Sequence, residues 1–484
     1  MKTLLFRALL AFLVVSGLLT ATLFVRSAFL RPQTLSEVAV HPFDFDAARA
    51  LDRLTVAIRI PPEPTPEAPG FPEFLASAFP AVHAALVREA VAPSSFLYTW
   101  SGTDPELEPV LLVARMGPAP TGPGAEAWRF PPFSGELADG AVWGRGTLSG
   151  RGPLVAIFEA LDALLAEGFD PARTLMVAVG GPVEEEGSGL SEVAALLESR
   201  GIVALWALGD GGGIAEGLLP GVTEPIGVIG TAEQGALALR LTARGVGGPA
   251  SAPPRGTAAG RIAEAIVRLE DPGFTPRIQG PTRRLFLALA PHMDPGTRML
   301  AANLWLFERP LARALSGNPW LGATLRTVAA PTLLRAEADR GALPSHATAR
   351  LRVGIAPWDA PDAVLEEIWA RLGDLEIELL PEPAGAAPIP PSAISSTDTE
   401  GFLRIRDAAR AVFPDLLVVL PATVPGVTDV RPFSAVARDS YRFVPFRMNA
   451  ATLASLRGAN ERIPVTDYVG MIRFYGELIR RGTE

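Results

Sequence analysis

Four textures of apolar and polar positions succeed one another along the chain. The first is an apolar run over residues 8–25, with Lys2 and Arg7 ahead of it and Arg26 closing it. Its length is near the lower limit for a bilayer-spanning helix, roughly 17–25 residues. Positive charge ahead of such a run favours a cytoplasmic N-terminus, with the bulk of the chain on the periplasmic or extracellular side. Residues 1–30 are therefore expected to be a transmembrane signal anchor. The alternative is secretion after signal-peptide cleavage, although no clean small-x-small site follows the run. Residues 31–72 are rich in Pro and polar side chains and read as a tether.

From Phe74 the texture alternates between short apolar runs and helical spacing. Residues 110–114 and 175–179 suit buried parallel strands. Apolar positions at 154, 157, 158, 161, 164 and 165 mark one face of a helix. A helix over 192–200 and a strand over 203–208 follow. Repeated strand–helix units predict a mainly parallel, doubly wound α/β sheet. In such sheets, sites gather at the carboxyl ends of strands, where Arg115, Pro182 and Asp210 would lie. Near Gly235 the pattern changes again. Residues 236–242, 347–355 and 375–380 read as strands, the first two by their alternation, and 258–269 and 361–372 have helical spacing. This predicts a smaller α+β domain inserted into the first. Helical stretches over 402–413 and 465–481 then return to the main domain. The expected organisation is 73–235 for its first part, 236–382 for the insertion and 383–484 for its second part.

Composition narrows the possible partners. Hydrophobic residues make up 48% of 484, enough for large cores. A net charge of −9 argues against nucleic acid, which needs a basic footprint. The chain has no Cys, which excludes disulfides and thiolate ligands, and only four His, whose spacing fits no zinc signature. No G-x-S-x-G segment supports a nucleophile elbow. The glycine-rich stretch 144–152 lacks a P-loop ending.

The chemistry-bearing segments are GRGTLSGR (144–151), VAVGGPVEEEGSG (177–189), DGGG (210–213), NLWLFERPLARALSGNPWLGATLRT (303–327), GVTDVRPFS (426–434) and RGANERIPVTDY (457–468). In this order they resemble the aminoacylase/carboxypeptidase S family of co-catalytic di-zinc peptidases. The closest likeness is to its N-fatty-acyl-amino-acid synthase/hydrolase branch. The likeness covers roughly residues 73–480. It implies a doubly wound zinc-peptidase-like domain with an inserted ferredoxin-like lid used for dimer contacts. It also implies two zinc ions held by an initial His, a bridging Asp, a Glu, a further Asp and a late His. Paired cations clamp the attacking and departing oxygens, and a separate Glu acts as general base.

Matched position by position, the chain departs from that set. Arg115 stands at the initial His, Ser149 at the bridging Asp and Arg457 at the late His. Val183 stands at the general base. Glu184 and Asp210 keep ligand carboxylates. In the lid, Pro249, Gly341 and Gly354 replace a His, an Asn and an Arg that face substrate. The resemblance thus implies a degenerate, non-catalytic homologue without a cofactor, with a binding or regulatory role toward an acyl-amino-acid or peptide ligand or a partner protein. One alternative is an active zinc hydrolase with a rebuilt site that uses Glu184 and Asp210, with Glu185 or Glu186 as a shifted ligand or base. A second is a structural subunit of an active paralogue. Expected partners are the membrane, through the N-terminal helix, and a second copy through the lid. The resemblance implies that the initial His shares one zinc with the residue at Asp210 and the late His shares the other with the residue at Glu184. Buried unpaired carboxylates are costly, so Arg115 is expected to approach Asp210, and Arg457 to approach Glu184.

Overall fold

The protein is described here by a computed structural model covering the chain except residues 1, 33–37, 42–43, 62–69, 118–126, 182–188, 220, 272 and 384–386. Among the described residues, ten strands form one mixed sheet. Its centre is parallel: Val110–Arg115 lies between Leu175–Gly180 and Trp206–Gly209, and Ser440–Arg442 continues beside Trp206–Gly209. These strands are buried along their whole length, as continuous apolar runs require when both faces are covered. Antiparallel strands complete the edges of this sheet. Val87–Ala92 and Ser95–Trp100 form an antiparallel hairpin on one side, and Gly213–Ala215 runs antiparallel to Ile226–Glu233 on the other. The helix Arg151–Ala166 buries nearly all of its surface beneath the sheet, against Val465–Thr483.

Within the segment expected to be a tether, one helix packs onto this domain. Ala47–Arg59 is a helix capped by the Asp46 carboxylate, which accepts from the amides of Ala48 and Arg49. It buries Ala50, Leu54, Ala57 and Ile58 against Arg151–Ala166. Its C-terminal carbonyls would be left without donors. The Arg151 guanidinium, 1% exposed, meets them: it donates to Ala57 O at 3.0 Å and also to Ile60 O. Burial pulls the Arg151 pKa down to about 10, so it stays charged at neutral pH. The amphipathic spacing of 47–59 carried this signal, but the surrounding prolines masked it.

The inserted domain is a four-stranded antiparallel sheet in the order Val328–Arg335, His346–Ile355, Gly235–Arg244, Ile377–Pro381. Helices Ala258–Glu270 and Pro361–Leu372 cover one face. Read in chain order, this is strand–helix–strand–strand–helix–strand, the ferredoxin-like arrangement. The strand Val328–Arg335 is absent from the sequence expectation because, as a largely exposed edge strand, it shows no alternation. Between the lid's first helix and that strand lies a helical insert: Gly280–Leu289, Pro295–Ala302, Leu304–Leu315 and Pro319–Ala323. It packs away from the lid, onto Val419–Val424 of the main sheet. The N-terminal helix is Lys2–Ala28, and over 4–28 it is almost wholly exposed. Among the described residues, its stretch Leu4–Ala28 is long and apolar enough to cross a membrane.

Candidate functional site

Arg115 ends its strand and Asp210 follows the neighbouring strand Trp206–Gly209, so the parallel sheet brings them side by side. Arg115 Nη2 donates to Asp210 Oδ2 at 3.0 Å. Its Nε donates to Asp429 Oδ2 at 2.7 Å. Asp429 in turn donates its backbone N–H to Asp210 Oδ1 at 2.8 Å. One guanidinium therefore joins two carboxylates from different loops, with Arg115 only 4% exposed. Burial, then the neighbouring Asp210 charge, raises the Asp429 pKa to about 7, against the opposing pull of Arg115 and Arg457. Asp429 was within the GVTDVRPFS segment, but nothing in the sequence singled it out as a partner for Arg115.

Two further networks hold the surrounding loops. Glu461, fully buried, accepts from the amides of Gly146 and Leu148 at 3.0 and 3.1 Å and from Arg145 at 3.2 Å. Burial raises its pKa. This ties the 144–150 turn to the segment carrying Arg457. Gly150 has φ +92°, and a Cβ there would sit 3.0 Å from Arg115 Cγ and 3.2 Å from Gly117 O. The absence of a side chain at 150 leaves room for the long Arg115. On the other side, the fully buried Glu233 accepts from Arg442 Nε at 2.9 Å and from Thr428 N at 3.1 Å, fixing the loop that presents Asp429. Gln234 spans two units. Its amide donates to Ala323 O at 2.7 Å, and its Oε1 accepts from Gly426 N at 3.1 Å.

Beside these carboxylates lies a cavity of about 330 Å³. Its walls are mostly apolar, with Leu219, Leu285, Leu321, Val424 and Phe446 among them, while Ser149, Asp210, Thr428 and Arg457 contribute polar groups. Ser149 and Arg457 thus share one cavity with Asp210. Arg457 has a left-handed backbone, φ +56°. Val183 and Glu184 lie outside the described residues, as does the expected Arg457–Glu184 contact. Pro249 and Gly341 sit together on a small exposed ribbon of the lid, where Ala250 N donates to Gly341 O. Gly354 is in the strand His346–Ile355. None of these three lines the cavity. The His residues have other surroundings: His41 contacts Glu477, His83 packs on Tyr98 and Phe158, and His346 is exposed.

Residues 119–481 match the Peptidase_M20 family, Peptidase family M20/M25/M40. The chain belongs to this peptidase family. It is 32% identical over 418 residues to the N-fatty-acyl-amino acid synthase/hydrolase PM20D1 of Mus musculus, covering 85% of this chain and 82% of the relative. It is equally identical over 418 residues to a probable carboxypeptidase S-like 2 of Dictyostelium discoideum, covering 86% and 79%. The fold matches an M20 family metallo-carboxypeptidase, Sso-CP2, of Sulfolobus solfataricus, with a TM-score of 0.62 at 16% identity, covering 89% of this chain and 98% of that one.

The M20 family implies zinc, and the described residues of this member do not fit it. Among them, no three His, Cys, Asp or Glu side chains come together as a ligand set. Zinc sites use three or four N, S or O ligands around an accessible cation position. Here the Arg115 side chain, a permanent cation, is bonded to Asp210 and Asp429.

Proposed function

We propose that this M20 peptidase homologue is a membrane-anchored, catalytically degenerate protein that binds an acylated amino acid or peptide-like ligand in the cavity beside Asp210. The observation that carries the reading is the Arg115 guanidinium bonded to both Asp210 and Asp429. It supplies the positive charge those carboxylates need, but it offers no open coordination position at which water could be activated. The largely apolar wall of the cavity suits a ligand with a hydrocarbon body. The mouse relative is named as a synthase and hydrolase of N-fatty-acyl amino acids; only the binding part of such chemistry is proposed for this chain. The exposed Leu333 and Leu334 on the lid's edge strand support a homodimer through that strand.

Elemental analysis of the purified protein, with hydrolysis assays on N-acyl amino acids of differing chain length, tests the reading. The expected result is saturable binding with substoichiometric zinc and no turnover. Near-stoichiometric zinc together with hydrolysis would overturn it in favour of a rebuilt metal site.

A further inference from the structure

We infer that the helical insert of the lid is a membrane-docking surface, whose partner is the anionic face of the bilayer that the N-terminal helix crosses. The inference rests on the anchor reading given above and adds where the folded body touches the lipid. Along the N-terminal helix and just beyond it, Ser16, Leu23, Ser27 and Leu30 are half-buried while the remaining positions described over 4–28 are exposed. Leu23, Ser27 and Leu30 are spaced by four and three residues, which places them on one helix face. That face packs on Pro295–Ala302 of the insert. The fully buried Asn303 donates its side-chain amide to Leu23 O at 3.2 Å, and Leu30 joins the insert's apolar core. Residues 4–22 lie ahead of this contact, with Arg7 one turn from their far end, where its long side chain reaches back to the headgroups. At ~1.5 Å per residue this stretch reaches ~28 Å, which matches a hydrocarbon layer of ~30 Å. The docked part of the helix therefore emerges at the bilayer boundary and carries the insert with it.

The insert has the side chains such a position calls for. Trp305, Leu306 and Trp320 are 52%, 41% and 42% exposed. Indole rings settle at the headgroup level, where one edge is apolar and the other is wet. The surrounding charge is basic within an acidic chain. Residues 277–327 hold seven Arg against Asp294 and Glu308, a net charge of +5, while the whole chain is at −9. Arg309 and Arg313 are exposed on the same helix as Trp305. Exposed apolar side chains beside Arg bind interfaces through apolar burial plus attraction to anionic headgroups. The same insert also supplies Leu285, Trp320 and Leu321 to the cavity wall. A ligand dissolved in the bilayer would thus meet the cavity without crossing open water.

The chain has no Cys, so single labels are site-specific. Full-length Leu306→Cys, Val246→Cys and Leu13→Cys variants would each carry an environment-sensitive fluorophore. They would be reconstituted into vesicles of phosphatidylcholine with phosphatidylglycerol. Val246 is 80% exposed on the lid and Leu13 is mid-helix. The expected result is quenching of the Leu13 and Leu306 labels by nitroxide lipids, and quenching of the Val246 label by aqueous iodide alone. A membrane-embedded Leu13 label with a fully aqueous Leu306 label would overturn the docking surface and leave the anchor standing. An aqueous Leu13 label would overturn the anchor, and the docking surface with it.

Discussion

Arg115 and Asp429 share a 2.7 Å charge-assisted hydrogen bond, and each side chain is only 4% exposed. Arg115 reaches Asp210 with its other edge, so its loss would leave two neighbouring carboxylates facing each other. Breaking a buried pair by removing one partner costs about 3–5 kcal/mol. Arg115→Ala is expected to lose that much in urea denaturation, and Asp429→Asn in the same background should recover part of it. An Arg115→Ala protein as stable as the parent would show that the guanidinium does not hold this site together.

Gly150 and Arg115 are expected to be energetically coupled. Ala at 150 meets both an unfavourable positive φ and contact with Arg115 Cγ. A strained backbone of this kind costs about 1–3 kcal/mol, with the side-chain clash added. In a double-mutant cycle the Gly150→Ala penalty should shrink when Arg115 is already Ala, because only the backbone strain and the contact with Gly117 O remain. Equal penalties in both backgrounds would place Arg115 elsewhere in solution.

Glu159 gives the fold a pH dependence remote from the candidate site. It is 2% exposed, with Arg53 at 3.1 Å and with Asp162, Arg49 and Tyr468 nearby. Burial outweighs the Arg53 attraction and raises its pKa from 4.5 to about 7. An acid that is harder to ionise in the folded chain than in the unfolded one favours folding while protonated. Its contribution is therefore full below about pH 4.5 and is lost as pH rises through about 7. Glu159→Gln should flatten the dependence of Tm on pH across that window. An unchanged slope would assign the effect to another group.

Arg151→Ala should release the helix Ala47–Arg59 from the domain. Each buried carbonyl left without a donor costs about 1–3 kcal/mol, and Arg151 serves several at the end of that helix. Limited proteolysis should then cut within residues 47–72 before the rest of the chain. Equal resistance in parent and variant would mean that packing by Leu54 and Ile58 suffices.

The orientation of the anchor can be read by reporter fusions. Lys2 and Arg7 ahead of the apolar run predict that an alkaline phosphatase fused near Pro62 is active. Activity of a cytoplasmic reporter at that position would reverse the orientation. A mature N-terminus near Ser27 would replace the anchor with a cleaved signal peptide.

The sequence by itself determined the strands that bury both faces, the lid elements with clear alternation and the long apolar helix. Each is a local pattern: continuous apolar runs, or period-two or helical spacing. The family resemblance also paired Arg115 with Asp210, since it puts Arg115 at a His that shares a zinc with the residue at Asp210, and the two side chains do meet. Tertiary structure decided the rest. Asp429 lies 314 residues from Arg115 and meets it only because the sheet brings the strand ends and the 426–430 loop together. The helix Ala47–Arg59 is fixed by an Arg about a hundred residues away. The edge strand Val328–Arg335 exists because His346–Ile355 offers it a hydrogen-bonding partner, since its own side chains are mostly exposed. Local spacing records which face of a segment is apolar. It does not record which distant charge or strand will satisfy that segment, because those partners are brought together only by the packed chain.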